Sequence, residues 1–273
     1  MARIADLIYY PIKGCAGTPL LDAVMTPAGL AHDRSFMVVD EQGVFRTQRR
    51  HPRLALVRPD LSPDGERLTL RSPGVEAVST AVDAAGPRRD VNLFGAAYKG
   101  IDQGDVVAEW LSEVVAAPCR LVRVPPEHDR VTDGEVPGTS GYADSSAVHV
   151  LSLASLDQLN ERLVERGAPA HPMSRFRPNI VVTGWEPHTE DLVRRVTIGG
   201  SELGYTKLAV RCAVTTVDQD SGRRSGPEPL RTLAGYRRAE GGIVFGAKFA
   251  VLETGKLSVG DEVVVTARAE RIR

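Results

Sequence analysis

The chain has 273 residues, 42% of them hydrophobic, with 34 Lys plus Arg against 35 Asp plus Glu and a net charge of −1. That length supports a full core and reads as two moderate domains, with a single large all-β domain as the alternative. The balanced charge creates no whole-chain field to attract nucleic acid or an anionic membrane, so any electrostatic function is local.

Residues 4–10, 35–40 and 55–58 form β-rich runs separated by turn signals such as Glu41-Gln42-Gly43 and Pro59. They predict a small antiparallel barrel or sandwich. At 105–115 the spacing turns helical and stops ahead of Pro118. The domain change is placed there, giving 1–115 and 116–273. Residues 125–141 lack core-forming side chains and read as a long loop of the kind that carries or covers a site. A strand at 148–151 follows, and Ser152 or Ser155 caps a helix with Leu156, Leu159 and Leu163 on one face until Gly167. Further strands are expected at 179–183, 196–198, 208–217 and 263–267, with a short helix at 229–233 whose first turn suits Pro229. The fold class expected is mainly β with a few helices (α+β), as two successive barrel-like domains.

Cys15, Cys119 and Cys212 are the only cysteines, an odd number too sparse for a disulfide framework. Without a Cys-x-x-Cys pair they cannot supply four thiolates to an iron–sulfur cluster or a zinc ribbon. The six histidines show no metal spacing, which disfavours a zinc or carboxylate-metal enzyme. No dinucleotide, nucleoside-triphosphate or hydrolase-elbow motif is present. The opening Met1-Ala2-Arg3-Ile4-Ala5-Asp6 lacks signal-peptide regions, and no apolar run approaches a membrane span, so a soluble cytoplasmic protein is expected.

A cysteine in a β-rich run is on general grounds a small buried hydrophobe. Arg211 directly before Cys212, and Thr215, Thr216, Asp218 and Asp220 after it, favour instead a thiolate in a polar setting. Arg177 in Phe176-Arg177-Pro178-Asn179 offers a planar fork for phosphate or carboxylate, and Asn179 both donates and accepts. In Tyr9-Tyr10-Pro11-Ile12-Lys13-Gly14-Cys15, Gly14 lets backbone amides face an anion beside the Lys13 ammonium. His32-Asp33-Arg34 and Asp144-Ser145-Ser146 precede strands, and each reads equally as an ordinary turn. Arg49-Arg50-His51-Pro52-Arg53 is a solvated loop, not a nucleic-acid patch, because no aromatic residues interleave with it. Anion-binding groups around one soft thiolate suit a phosphate-bearing cofactor that holds a thiophilic metal.

These motifs carry a resemblance running nearly end to end. Tyr10-Pro11-Ile12-Lys13-Gly14-Cys15-Ala16-Gly17, His32-Asp33-Arg34, Asp144-Ser145-Ser146, Leu151-Ser152 with Ala154-Ser155-Leu156, Phe176-Arg177-Pro178-Asn179, Arg211-Cys212 with Thr215-Thr216-Val217-Asp218, and Phe245-Gly246 occur in the family's order. The chain resembles the MOSC family, named for the C-terminal domain of molybdenum cofactor sulfurase, together with its N-terminal β-barrel domain. In layout it is similar to the mitochondrial amidoxime-reducing component and its bacterial relatives.

The resemblance implies a molybdenum cofactor (Mo-molybdopterin) whose metal is ligated by Cys212, the catalytic centre. It implies cofactor contacts from Lys13, Gly14, Arg34, Asp144, Ser145, Ser146, Arg177, Asn179, Arg211 and Cys212. Gly14 departs from the serine frequent there and could offer only its backbone N–H. The implied reaction is reduction of a small N-hydroxylated or N-oxygenated substrate, with electrons from a separate donor protein. The alternatives are a sulfur carrier or sulfurtransferase acting through a Cys212 persulfide, and a non-catalytic molybdenum cofactor carrier. Neither nucleic acid nor membrane is expected as a partner.

Overall fold

The computed structural model describes residues 1–239 and 241–269. Strand β1 (Arg3–Tyr9) buries Ile4, Leu7 and Tyr9; a register shift between Ile4 and Asp6 displaces the alternation by one residue. β2 (Ile12–Lys13) and β3 (Thr18–Leu20) follow, then β4 (Phe36–Val39), β5 (Arg88–Leu93), β6 (Ala96–Asp102), helix α1 (Asp105–Val115) and β7 (Arg120–Arg123). The second half comprises β8 (Val148–Ser152), α2 (Leu153–Glu165), β9 (Ile180–Thr183), β10 (Val193–Ile198), β11 (Ser201–Val210), α3 (Leu230–Leu233), β12 (Gly242–Glu253) and β13 (Val263–Arg268).

A nine-stranded sheet runs β13-β10-β11-β12-β8-β9-β1-β3, with Arg238–Ala239 added beside β12. Its pairs are antiparallel except β8 with β9, which α2 connects as a crossover. Ser152 caps α2 by accepting the Ser155 amide at 3.1 Å, and Leu156, Leu159 and Leu163 pack with Phe176, Leu233 and Phe245. A five-stranded sheet runs β5-β6-β7-β4-β2. Beside it, Val107, Leu111 and Val114 of α1 share a core with Leu61, Leu68 and Leu70 of the small sheet Arg58–Leu61, Arg67–Ser72 and Val75–Ala81.

The mainly β, α+β class holds, but the expected barrels do not: among the described residues no sheet closes on itself. The reason lies in β1. Its outer edge is divided, with Leu7 to Tyr9 paired to β3 and only Arg3 bridging Glu262 ahead of β13. The two ends of the large sheet therefore meet at one bridge and a few backbone bonds, such as Ile4 N–H to Asp261 O at 2.9 Å.

Three local expectations are corrected. Residues 55–58 are no strand: Pro52–Leu56 forms a 3₁₀ turn, and the strand begins at Arg58. The run 208–217 breaks after Val210, and Ala213–Thr216 is a 3₁₀ turn, so Cys212 lies beyond the strand rather than within it. The loop at 125–141 contains a small ladder of Val131–Thr132 with Gly138–Thr139. As for chain order, β1 and β3 from residues before 115 complete the large sheet, while β7, after 115, completes the five-stranded one.

Candidate functional site

A cavity of about 350 Å³ gathers the motif residues: Gly14, Arg34, Asp144, Ser145, Ser146, Arg177, Asn179, Arg211 and Cys212 all line it. Lys13 does not. It sits behind the wall, 5% exposed, with its ammonium paired to the Asp144 carboxylate and 4.9 Å from the Phe94 ring centre. Burial lowers the Lys13 ammonium below its ordinary value, and Asp144 opposes that shift. For Asp144, desolvation works toward protonation, but Lys13, Lys248 and Arg34 outweigh it and hold the carboxyl below the usual range.

Arg34 and Arg177 both stack on Tyr10, their guanidinium carbons 4.3 and 4.2 Å from the ring centre. Both adopt left-handed backbone, φ 47° and 57°, which costs energy outside glycine and is held here by tertiary bonds. Arg34 donates to Asp33 at 2.5 Å and to Asn179 Oδ1 at 2.9 Å; Arg177 donates to Cys15 O at 2.5 Å. Asn179 is saturated: its amide donates to Ile8 O and Asp33, and its oxygen also accepts from the His149 amide. It positions Arg34 rather than offering free bonds to the cavity. Gly14 needs its positive φ of 81°, and its carbonyl accepts from Gln48 at 2.7 Å.

Cys212 is half-buried, at the entry to the 3₁₀ turn. The polarity after it is largely structural: Thr215 Oγ1 donates to Cys212 O at 3.0 Å, and Asp218 pairs with buried Arg175 at 3.1 Å. Arg211 donates to Phe176 O at 2.8 Å, and burial brings its guanidinium down to about 10. From the basic run 49–53, Arg49 reaches the cavity.

Among the lining residues that the sequence reading did not single out, His149 and Lys248 stand on the central strands. Each is a polar residue within a strand otherwise patterned as core, and that was the available signal. Desolvation, followed by Lys248 and Arg211, holds the His149 imidazole well below its ordinary value, so it is neutral. Burial, with Arg34 and Arg211 nearby, brings Lys248 down to about 7.

Three buried polar atoms of this lining lack a partner: Ser146 Oγ, His149 Nε2 and Arg211 Nε. The Ser146 hydroxyl and Arg211 Nε are donors, costly to bury without a partner, whereas His149 Nε2 is left as the acceptor because Nδ1 faces the Arg177 carbonyl at 3.4 Å; with the surrounding cations the two donors fit an anionic, hydrogen-bonding guest. Among the described residues no three His, Cys, Asp or Glu side chains form a metal cluster, so a metal on the Cys212 thiolate would draw its remaining ligands from that guest.

Comparisons with known proteins bear on the identity of the guest. The MOSC N-terminal beta barrel domain family matches residues 1–118, and the MOSC domain family matches residues 137–264. Mitochondrial amidoxime reducing component 2 of Rattus norvegicus is 36% identical over 96% of this chain and 83% of its own length. Mitochondrial amidoxime-reducing component 1 of Homo sapiens is 33% identical over 96% of this chain and 82% of its own. Molybdenum cofactor sulfurase of Danio rerio is 30% identical over 90% of this chain but only 32% of its own length.

Proposed function

The chain belongs to the MOSC family, and from that premise we propose that its cavity holds a molybdenum–molybdopterin cofactor and reduces small N-hydroxylated substrates. The observation that carries the reading is the meeting of a half-buried thiol with unpartnered donors and cations in one cavity. When bound, the cofactor supplies two-electron redox chemistry at a thiophilic metal. Cys212 is the protein's ligand to that metal. Arg34, Arg177 and Arg211 hold the anionic part of the cofactor, and Ser145, Ser146 and the Gly14 backbone supply hydrogen bonds. Lys13 fixes Asp144, while Asn179 and Asp33 fix Arg34, so the cationic wall is set before anything binds. Electrons come from a separate donor protein, since the sequence carries no iron–sulfur motif and no Cys-x-x-Cys-His haem attachment. We keep the division at 115/116 and the cytoplasmic setting as part of this proposal. No described helix is long and apolar enough to cross a membrane.

The test is an assay of cofactor-loaded protein on amidoximes and hydroxylamines with a chemical electron donor. Turnover abolished by Cys212→Ala is the expected result. Loaded protein that reduces no member of such a panel would overturn the reductase reading and leave a cofactor carrier.

The exposure of Cys212 and the likeness to a molybdenum cofactor sulfurase favour one second reading, a sulfur carrier acting through a Cys212 persulfide. It requires persulfide on Cys212 after incubation with a cysteine desulfurase; a thiol that stays unmodified removes it.

A further inference from the structure

We propose that Lys248 is an oxyanion anchor of the cavity, taking a phosphate or carboxylate of the bound molecule. Lys248 lies in register with His149 on one neighbouring strand and with Lys207 on the other. Directly opposed residues of a ladder share a face, so two lysines and a histidine form one row across β8, β12 and β11. Like charges set opposite one another destabilise a sheet unless a counter-charge joins them.

Lys207 has one, Asp133, at 2.7 Å. Lys248 has no ion-pair or hydrogen-bond partner among the described residues, although it lines the cavity. The nearby carboxylates are committed, Asp144 to Lys13 and Asp33 to Arg34. Neutral His149 supplies no negative charge and turns its Nδ1 to the Arg177 carbonyl at 3.4 Å, while the Ser146 hydroxyl, in a side chain 1% exposed, and Arg211 Nε stand unpartnered on the same lining. A partnerless cation with unpartnered buried polar atoms around it is completed by an oxyanion from outside the chain. Burial with Arg34 and Arg211 nearby brings Lys248 down to about 7, so an oxyanion set beside it favours the charged ammonium that its surroundings oppose.

The first experiment uses the full chain made in a host without the pterin cofactor, with inorganic phosphate as probe and chloride at matched ionic strength as control. Phosphate should raise the unfolding temperature of the wild type. Lys248→Met should bind phosphate about tenfold more weakly, the scale of one charge-assisted hydrogen bond, and Lys248→Arg should restore it. Cofactor-loaded protein then locates the oxyanion. Pterin lost from Lys248→Met places it on the cofactor phosphate. Full pterin content with a raised KM for carboxylate-bearing substrates alone places it on the substrate. Either result supports the anchor.

Lys248→Met that matches the wild type in phosphate protection, pterin content and KM overturns it. The anchor and the molybdenum reading fail separately: a wild type without pterin that still shows the Lys248-dependent phosphate effect removes only the latter.

Discussion

Asp33 is the carboxylate that braces the wall beneath the cavity, accepting from the Tyr10 amide, Asn179 and Arg34 with its own side chain 1% exposed. Asp33→Asn strips the charge that compensates Arg34 and should destabilise the protein by about 3 kcal/mol in urea unfolding, the scale of breaking a buried pair. A loss below the error of the measurement would mean that Arg34 finds another partner. Arg177 tests binding rather than folding. Arg177→Ala should weaken cofactor retention by roughly 1.5 to 3 kcal/mol, read as pterin remaining after gel filtration, and unchanged pterin would remove Arg177 from the binding wall. At this scale Arg177 beside Pro178 and Asn179, and Cys212 after Arg211 and before a polar run, were legible from their neighbours, whereas Arg34 in an ordinary-looking turn stood out only through the family resemblance. His149 and Lys248 were not legible, since each is a single polar residue in a core strand. Only the register of β8, β11 and β12, which joins residues about 40 and 100 positions apart in sequence, brings them together.

Among elements, α1 and α2 were readable because their apolar spacing and end signals agree, and Ser152 is the cap in fact. Ser152→Ala should cost about 1 kcal/mol of stability by thermal unfolding, through loss of the Ser155 amide bond. The run at 208–217 was misread because valine and threonine favour strands, whereas Thr215 and Thr216 turn their hydroxyls back onto the carbonyls of Cys212 and Ala213 and close a 3₁₀ turn. The segment after α2 carries a pH response. Glu190 is fully buried against Ser152 and Ser155, and burial raises its carboxyl above the ordinary value, with Ser155 opposing. A raised folded pKa contributes stability that is complete below the unfolded value of about 4.3 and is lost as pH rises through the folded value. Glu190→Gln removes that loss, so its stability relative to the wild type should climb in urea titrations as pH rises above about 4.3 and level off once the wild-type carboxyl is ionised. Parallel curves would contradict the burial argument.

Across the whole molecule, the mainly β character was legible from strand-like runs, but sheet membership was not, because pairing is set by contacts remote in sequence. β1 pairs with β9, so the first residues of the chain finish a sheet built chiefly from its second half. A fragment 116–273 expressed alone should therefore show no cooperative unfolding, and adding 1–115 in trans should restore it; a fragment that unfolds cooperatively alone would contradict this dependence. The same interleaving builds the cavity, which takes Gly14 and Arg34 from the first half and Asp144, Arg177, Arg211 and Cys212 from the second. The central claim is that this shared wall holds molybdopterin with Cys212 on the metal. Its most direct test is the molybdenum and pterin content of wild-type and Cys212→Ser protein from a cofactor-competent host. Near-stoichiometric metal and pterin in the wild type, with molybdenum lost from Cys212→Ser, is the predicted result; a wild type lacking both, or a Cys212→Ser protein that keeps its molybdenum, would contradict it.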